Sequence, residues 1–434
     1  IPSLERCLIN KKIRKLNDGF YERLFKTMEL IKNYFVIKNI RKMKLEPIQE
    51  KVKSSFFSSI MHKDILSTSI GVSDKNNRYV KSEIAVVGLH NYQLGISEDA
   101  RNIYKSLSGI KKSIKASDIP IISKNKLVNL NYKLFNFVDS NKTIIVLPPT
   151  ELVTLYLKNQ LYFNSKTKYA LIPWELPRLH RSFIDILSSF DLLLAPSKFI
   201  RNSLLEVHKN VKLLPHFIDL DKKNKNKKYK EFTFLYSADL NSFIKRKNPF
   251  CAIKAFKIFL KKIGKFNKNE PKLILRLSNL RDEQFKEINK HILNISNIIL
   301  ITKHLDREDY INLLAKSHCF VSPHRSEGFG RNIAEAMFLN TPVIASAYSG
   351  NLDFCFENNS YLINGKLIPL KRGDYPCCED SSWFDPDYLH LSELMYEVYT
   401  NYDEAIKKSK LGQKTIENNH SLDIYKKNLK NLLI

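Results

Sequence analysis

The sequence predicts an α/β protein made of two doubly wound, Rossmann-like domains that face each other across a cleft, preceded by a basic helical extension. Short β-branched apolar runs alternate with helix-like segments over residues 84–215, and the same alternation begins again at residue 232 after a lysine-rich stretch. Such alternation favours parallel sheets that are covered by helices on both faces. A ligand is therefore expected in the cleft, at the carboxyl ends of the two sheets.

The length of the chain predicts how these parts are divided. Its 434 residues exceed one compact core and fit two domains of ordinary size plus extensions. We predict a basic, mostly helical extension and connector at residues 1–80 and a first Rossmann-like domain at residues 81–220. The second domain is predicted at residues 221–384, and helices at residues 385–434 are expected to pack back on the body.

The first half opens with an apolar run that ends in Gly88 and leads into a helix, as in the first unit of a Rossmann-like domain. The predicted strands are residues 84–88, 143–147, 169–172 and 192–195, and the predicted helices are residues 98–107, 150–161 and 184–190. The last strand of this sheet is expected near residues 213–215.

The second half repeats the pattern after a linker of lysines and asparagines at residues 221–230. The predicted strands are residues 232–236, 272–277, 298–301, 319–322 and 342–346, and the predicted helices are residues 249–263, 282–293, 306–315 and 332–338.

Charge and cysteine content limit the function classes. The net charge of +27 comes largely from residues 11–53 and 222–230, which suit an anionic membrane surface, a phosphorylated substrate or simply a lysine-rich surface. No aromatic-interleaved surface accompanies the lysines, so a nucleic-acid partner is not expected. The six cysteines fit neither a disulfide framework nor a metal site, which predicts reduced thiols in a cytoplasmic protein. The sequence has no uninterrupted apolar run of about 18 residues, so no membrane-spanning helix is predicted.

The sharpest local signal is the segment at residues 322–353. A predicted strand ends at Ser322, and a loop with Gly328 and Gly330 leads into the next helix. Glycines let backbone amides approach a ligand, and the helix amino terminus favours an anion. Glu327 lies in the loop, and Glu335 lies in the helix among apolar residues. A hydroxyl-rich ligand such as a nucleotide-sugar fits this pattern, and a solvated helix face is the alternative.

Several motifs in the same order resemble one family. The segment above resembles the Glu-x7-Glu signature of family-4 retaining glycosyltransferases with the GT-B fold, in particular bacterial O-antigen and capsule mannosyl- or rhamnosyltransferase-like members. The resemblance covers residues 84–420. The other motifs are GLHNYQLGISEDAR at 88–101, WELP at 174–177, APSKF at 195–199, DLNSFIKRKNP at 239–249 and SGNLDF at 349–354.

The resemblance implies roles for the matching residues, with the first domain taking the acceptor and the second the nucleotide-sugar. Glu327 would contact the transferred sugar, and Glu335 the nucleotide ribose. Lys247 would bind the diphosphate together with Arg246, which stands in for an arginine that the family usually carries where residues 237–241 lie here. The remaining implied donor-binding positions are Gly95, Gly328, Phe329 and Gly330.

Each of several other residues near these motifs has two possible roles. His324 and Arg325 either touch donor phosphate or pack the loop. His90 either lines the acceptor side of the cleft or is a surface residue, and Glu175 is an acceptor-side candidate that can also meet the donor sugar. Two further expectations concern Trp174, which is expected in the core, and Asp353, which is expected to cap the following helix or to face the cleft.

The resemblance implies a hexosyltransferase that uses a GDP-, UDP- or dTDP-linked donor and a glycan or lipid-linked glycan acceptor. No cofactor and no metal are expected, so Lys247, Arg246, loop amides and the helix dipole would meet the charge of the departing diphosphate. The protein is expected in the cytoplasm, where its basic helices can hold it at the inner face of the membrane. The alternatives are a noncatalytic GT-B subunit that binds a glycan or a partner glycosyltransferase, and another reaction on the same fold.

Overall fold

The structure is a computed structural model that describes residues 80–433 except 93, 111–112, 120–127, 159, 221–226, 265–269, 372 and 379. The basic extension predicted for residues 1–80 lies outside the described residues apart from its last residue, and so do three of the six linker lysines, residues 222, 223 and 225.

The first domain is a seven-stranded sheet in which all paired strands are parallel. Its strand order is β3-β2-β1-β4-β5-β6-β7, so the winding direction reverses between β1 and β4. The strands are β1 Val80–Gly88, β2 Ile114–Asp118, β3 Leu134–Phe135, β4 Val138–Val146, β5 Thr167–Leu171, β6 Leu192–Ala195 and β7 Val211–Leu213. The helices are α1 Gly95–Ser108, α2 Pro149–Lys158, α3 Ile184–Ser188 and α4 Lys198–Leu205.

The second domain repeats this winding in a six-stranded parallel sheet of order β10-β9-β8-β11-β12-β13, which reverses between β8 and β11. Its strands are β8 Thr233–Asp239, β9 Lys272–Ser278, β10 Ile298–Ile301, β11 Cys319–Ser322, β12 Val343–Ser346 and β13 Tyr361–Ile363. Its helices are α5 Ile244–Lys247, α6 Pro249–Ile263, α7 Asp282–Ile292, α8 Arg307–Lys316 and α9 Arg331–Phe338.

The prediction of two doubly wound α/β domains is confirmed, and most predicted strands and helices lie within a few residues of their observed bounds. The strands β2 and β3 of the first sheet and β13 of the second were not predicted. Strand β2 has the sequence IKASD, whose lysine, serine and aspartate hide the apolar pattern of a buried strand. Strand β1 also begins four residues earlier than predicted, because its first residues alternate in exposure and only its second half is continuously buried.

A hairpin and three helices follow the second sheet. Residues 365–386 form what we call the arm, in which β14 Gly365–Pro369 pairs antiparallel with β15 Ser382–Pro386. The arm reaches the first domain, where Tyr375, Cys378 and Trp383 join the core. Helices α10 Tyr388–Thr400 and α11 Tyr402–Asn419 pack on the second domain, and α12 Leu422–Leu433 packs on α1 of the first.

Two expectations about the chain as a whole can be compared with the described residues. Three cysteines that the structure describes, residues 251, 319 and 355, are buried free thiols. Among the helices of the described part of the chain, none is long and apolar enough to span a bilayer.

Candidate functional site

The predicted catalytic residues lie where the second sheet reverses its winding. The loop after β8 leads to α5, which carries Arg246 and Lys247, and the loop after β11 carries Glu327. Since β8 and β11 are neighbours in the sheet, both loops emerge at the same point, where doubly wound folds bind ligands. Phe243 and Asn248, which flank α5, have positive φ angles of 59° and 60°, so this one-turn helix is sharply bent at both ends.

Two cations hold the carboxylate of Glu327. The Lys247 ammonium lies 2.5 Å from Oε1 of Glu327, and Nη1 of Arg246 lies 3.4 Å from Oε2. The same guanidinium donates to the carbonyl of Ser326 at 2.7 Å and lies 3.6 Å from Glu175 of the first domain. Arg246 is therefore shared by two carboxylates, one from each domain.

The charged groups at this site shift one another's pKa values. Burial by itself would raise the pKa of Glu327, but Lys247, Arg246 and His324 outweigh it and lower that pKa to about 2. Burial lowers the pKa of Lys247 from its usual value, against the opposing effect of Glu327. Burial also acts to lower the pKa of Arg246, but Glu175 and Glu327 outweigh it and raise that pKa. Glu327 is consequently an anion at neutral pH and cannot serve as a proton donor there.

The glycines after Glu327 allow close packing of backbone. A Cβ atom on Gly328 would lie 2.6 Å from the carbonyl oxygen of Trp174, and the carbonyl of Gly328 accepts from the Ser197 hydroxyl at 2.5 Å. Gly330 precedes helix α9 with a φ of 91°, a conformation that favours glycine. Phe329 is buried and packs its ring against His216. The loop is thus pressed against the first domain.

Glu335 lies farther along α9 and is only 1% exposed. Its Oε1 accepts from the guanidinium of Arg307 at 2.6 Å, whereas its buried Oε2 has no hydrogen-bond partner among the described residues. Sequence reasoning missed Arg307. A signal existed, because an arginine at the first position of a helix opposes the helix dipole and therefore calls for an anionic partner.

On the first-domain side, Gly95 is the exposed first residue of α1. Both readings of His90 are wrong, since its side chain is fully buried instead of lining the cleft or the surface. Its Nε2 donates to the carbonyl of Val86 at 3.0 Å, and its Nδ1 lies 2.9 Å from the Tyr132 hydroxyl. Burial lowers the pKa of His90 to about 4, which keeps the ring neutral. Trp174 is in the core, as predicted.

Glu175 follows Trp174 and reaches towards the second domain. Its Oε1 lies near Arg246, and its Oε2 accepts a hydrogen bond from the hydroxyl of Tyr375 on the arm. Its backbone carbonyl accepts from the Ser326 hydroxyl, one residue before Glu327. Sequence reasoning did not single out Tyr375, which lies 200 positions from Glu175.

The residues beside the signature brace the loop. Arg325 pairs with Asp385 at 2.7 Å and donates to the carbonyl of Lys245 at 2.8 Å, contacts that belong to the loop-packing reading. His324 is buried, with its Nε2 3.0 Å from the side-chain oxygen of Asn351.

Asp353 neither caps its own helix nor stands free in the cleft. Its carboxylate accepts from the backbone N–H of Lys198 at 2.7 Å, at the beginning of α4 in the first domain. The amino terminus of a neighbouring helix, with its unpaired amides, is a better partner than the short turn that Asp353 ends.

A further pair of charges joins the domains and was also missed. Arg331, the first residue of α9, lies 2.5 Å from Asp99 on α1, and Nδ1 of His216 lies 3.2 Å from the same carboxylate oxygen. Burial raises the pKa of Asp99 to about 6, although Arg331 opposes that shift.

No group of three His, Cys, Asp or Glu that could hold a metal ion occurs within the described residues. The sequence contains two Asp-x-Asp triplets, at residues 219–221 and 385–387, and Asp221 lies outside the described residues. Asp385 is paired with Arg325, and the Asp387 side chain accepts from the backbone N–H of Leu389 at 2.8 Å, so it caps α10. Both carboxylates already serve structural contacts.

Comparisons with known proteins agree with this architecture. Residues 217–370 match the family model described as glycosyl transferases group 1. No curated protein matches the chain in sequence.

Solved structures match most of the chain. The Anabaena protein HepE, in complex with UDP and glucose, is 11% identical with a TM-score of 0.59 and covers 81% of this chain and 99% of its own. A glycosyltransferase from Rickettsia africae is 15% identical with a TM-score of 0.58, covering 82% of this chain and 98% of its own. Sucrose-phosphate synthase from Thermosynechococcus elongatus is 14% identical with a TM-score of 0.58, covering 81% and 98%. At these identities the likeness concerns the fold. The chain has the GT-B fold, and residues 217–370 match the model of the glycosyl transferases group 1 family.

Proposed function

We propose that the protein is a retaining, metal-independent hexosyltransferase that uses a nucleotide-sugar donor. The observation that carries this proposal is the cluster of Arg246, Lys247 and Glu327 at the switch point of the second sheet. Breaking the bond between a sugar and a nucleoside diphosphate builds negative charge on the departing phosphates. Two cations held in a largely buried site stabilise that charge far better than they would in water.

The cations have capacity left for a diphosphate. The buried Nε of Arg246 has no hydrogen-bond partner among the described residues, and the ammonium of Lys247 has three donors of which Glu327 takes one. A diphosphate at this point would share Lys247 with Glu327. The amino terminus of α9 lies at the end of the same loop and adds its dipole.

Glu335 supports the nucleotide end of the proposal. A carboxylate that is 1% exposed and has one oxygen without a partner is costly unless a ligand completes it. The two hydroxyls of a ribose are donors that suit this oxygen. We therefore assign Glu335 to the ribose, with Gly95, Gly328, Phe329, Gly330 and Arg325 as the other donor-side positions.

The ionisation of Glu327 determines the role that we propose for it. Since its pKa lies at about 2, it cannot protonate a leaving group, and its pairing with two cations makes it a poor nucleophile. In the proposed reaction the acceptor hydroxyl oxygen bonds to the anomeric carbon on the face that the phosphate leaves. Its proton passes to a phosphate oxygen, and Glu327 orients the sugar.

The sequence resemblance supports the finer parts of the proposal. The donor is a GDP-, UDP- or dTDP-linked sugar, and the acceptor is a glycan or lipid-linked glycan of the O-antigen or capsule type. HepE was crystallised with UDP and glucose, which favours a UDP-linked donor for the first assays. We place the enzyme in the cytoplasm, peripheral to the membrane through its basic residues.

The test is a screen of GDP-, UDP- and dTDP-sugars by thermal shift, followed by transfer assays with the donors that stabilise the protein. We expect release of nucleoside diphosphate that EDTA does not reduce, an α-linked product from an α-linked donor, and loss of release in Glu327→Ala. A wild type that binds a donor or glycan but releases no nucleoside diphosphate with any acceptor identifies a noncatalytic subunit instead. Co-sedimentation with anionic and neutral vesicles tests the membrane contact separately.

A further inference from the structure

We propose that Tyr375, on the arm, is a positioning residue that holds Glu175 against Arg246 and thereby makes the cation pair depend on closure of the two domains. This inference rests on the proposed function. It concerns how the leaving-group cations are kept in place.

The hydrogen bond between Tyr375 and Glu175 crosses the domain boundary. The Tyr375 hydroxyl donates to Oε2 of Glu175, whose Oε1 lies 3.6 Å from Nη2 of Arg246. Tyr375 is 7% exposed and the Glu175 side chain 27% exposed, so the bond is shielded from water on the tyrosine side. One tyrosine of the second-domain arm thus fixes a first-domain carboxylate, which in turn contacts a second-domain arginine.

The ring of Tyr375 packs on both elements that carry this network. It lies edge-on to Trp174, with ring centres 5.8 Å apart at 81°, and against Phe243 at 4.8 Å and 53°. Trp174 directly precedes Glu175, and Phe243 directly precedes the turn of α5 that carries Arg246. The same side chain therefore sets the distance between the two charged groups.

The arm contacts both domains: it pairs with second-domain residues near Arg246 and Lys247, and it packs in the core of the first domain. Asp374 pairs with Lys245 of α5 at 2.8 Å, and the backbone of Phe384 donates to the carbonyl of Arg325 at 3.0 Å. Cys378 and Trp383 pack in the first-domain core. The arm cannot leave the first domain without also withdrawing Tyr375 from Glu175.

This arrangement gives Arg246 two environments. With the domains in contact, Glu175 and Glu327 share its guanidinium, which is held between them. When the arm and Glu175 separate, Glu327 is the remaining carboxylate partner of Arg246. The guanidinium is then free to turn towards Glu327 and away from the leaving phosphate. The cation pair is complete only when both domains surround the donor, which restricts cleavage of the sugar–phosphate bond to the closed enzyme.

The test is a double-mutant cycle between Tyr375→Phe and Glu175→Ala, with kcat and donor KM measured for each protein. Tyr375→Phe keeps the ring packing and removes only the hydroxyl. We expect kcat to fall about tenfold, as for loss of a hydrogen bond to a charged group, while donor KM stays within about twofold. In the Glu175→Ala background the same substitution should change kcat by less than about twofold. Tyr361→Phe removes a buried second-domain hydroxyl that has no hydrogen-bond partner among the residues the structure describes, and it should leave kcat unchanged.

The outcomes separate this inference from the proposed function. A wild type that turns over no nucleotide-sugar refutes both. An active wild type whose kcat is unaffected by Tyr375→Phe, or a tyrosine effect that persists in full in Glu175→Ala, refutes the inference alone. If Tyr375→Phe lowers the unfolding temperature by more than a few degrees, Glu175→Gln replaces it, and an unchanged kcat in that variant also refutes the inference.

Discussion

The two glutamates of the signature lie eight positions apart on one loop and helix, yet their surroundings differ. Both carboxylate oxygens of Glu327 are held by cations, and its side chain keeps 15% exposure. Glu335 is 1% exposed; one of its oxygens is paired with Arg307, and the other has no hydrogen-bond partner within the described part of the chain. Both oxygens of Glu327 thus have cationic partners before any ligand binds, whereas Glu335 keeps one buried oxygen that a ligand would complete.

This difference predicts that the two glutamates act at different stages, one in donor binding and the other in the chemical step. In the proposed function, interactions with Glu335 exist as soon as the donor is bound, so they should appear in donor affinity. The Glu327 cluster would meet charge that develops only as the phosphate leaves, so it should appear in the rate of the chemical step. The predictions below test this division, from the largest expected effect to the smallest.

Lys247→Ala should cause the largest loss. Removing one preorganised cation from the site is expected to lower kcat by about 100- to 1000-fold, the range found for loss of one transition-state donor. Steady-state kinetics with the preferred donor measure it. Lys245→Ala is the matched control, since that neighbouring lysine has a 60% exposed side chain and pairs with Asp374 away from Glu327. Equal losses in the two variants would contradict the assignment.

The stability that Glu327 contributes should depend on pH. Its pKa is about 2 in the folded protein against 4.5 in the free side chain, so the stabilisation is complete above about pH 4.5 and lost as the pH falls towards 2. The change is on the order of 3 kcal/mol of unfolding free energy. Denaturant unfolding of wild type and Glu327→Gln between pH 3 and pH 6 measures it. A Gln variant with the same pH dependence as wild type would show that the cluster adds no such stability.

Gly328→Ala should open the contact between the Glu327 loop and the first domain. The new Cβ would lie 2.6 Å from the Trp174 carbonyl oxygen, a backbone atom that cannot turn away. The expected loss of unfolding free energy is about 1–3 kcal/mol. Gly95→Ala is the control, because no atom lies within 4 Å of its added methyl group. If both alanines are tolerated equally in thermal unfolding, the close packing of the loop is not required.

Arg307→Ala should give the smallest effect, and that effect should be on donor binding through Glu335. Removing the partner of a buried carboxylate should raise donor KM about tenfold and leave kcat nearly unchanged. The effect should vanish in a Glu335→Ala background, because the guanidinium acts through that carboxylate. Lys303→Ala, an exposed cation four residues earlier, should have no effect. A change in kcat for Arg307→Ala would show that Arg307 acts with the Glu327 cluster on the chemical step.

Sequence-based prediction found residues that stand in recognisable motifs and missed residues whose partners are distant in the sequence. Glu327 and Glu335 could be proposed because they stand in a glycine loop and the helix that follows a strand. Lys247 could be proposed through the family resemblance of residues 239–249. Arg307 and Tyr375 could not, because their partners lie 28 and 200 positions away. His90 was misread because its burial depends on Tyr132, 42 positions away. Asp353 was expected to cap the following helix or to face the cleft, and its partner is a backbone amide of the other domain.

The most direct test of the division between the two glutamates is a side-by-side measurement of kcat and donor KM for Glu327→Gln and Glu335→Gln, with each substitution keeping side-chain volume and removing charge. The account predicts that Glu327→Gln lowers kcat by about 100-fold or more with donor KM within about threefold. It predicts that Glu335→Gln raises donor KM about tenfold or more with kcat within about threefold. The same pattern of kcat and KM changes in both variants would contradict it.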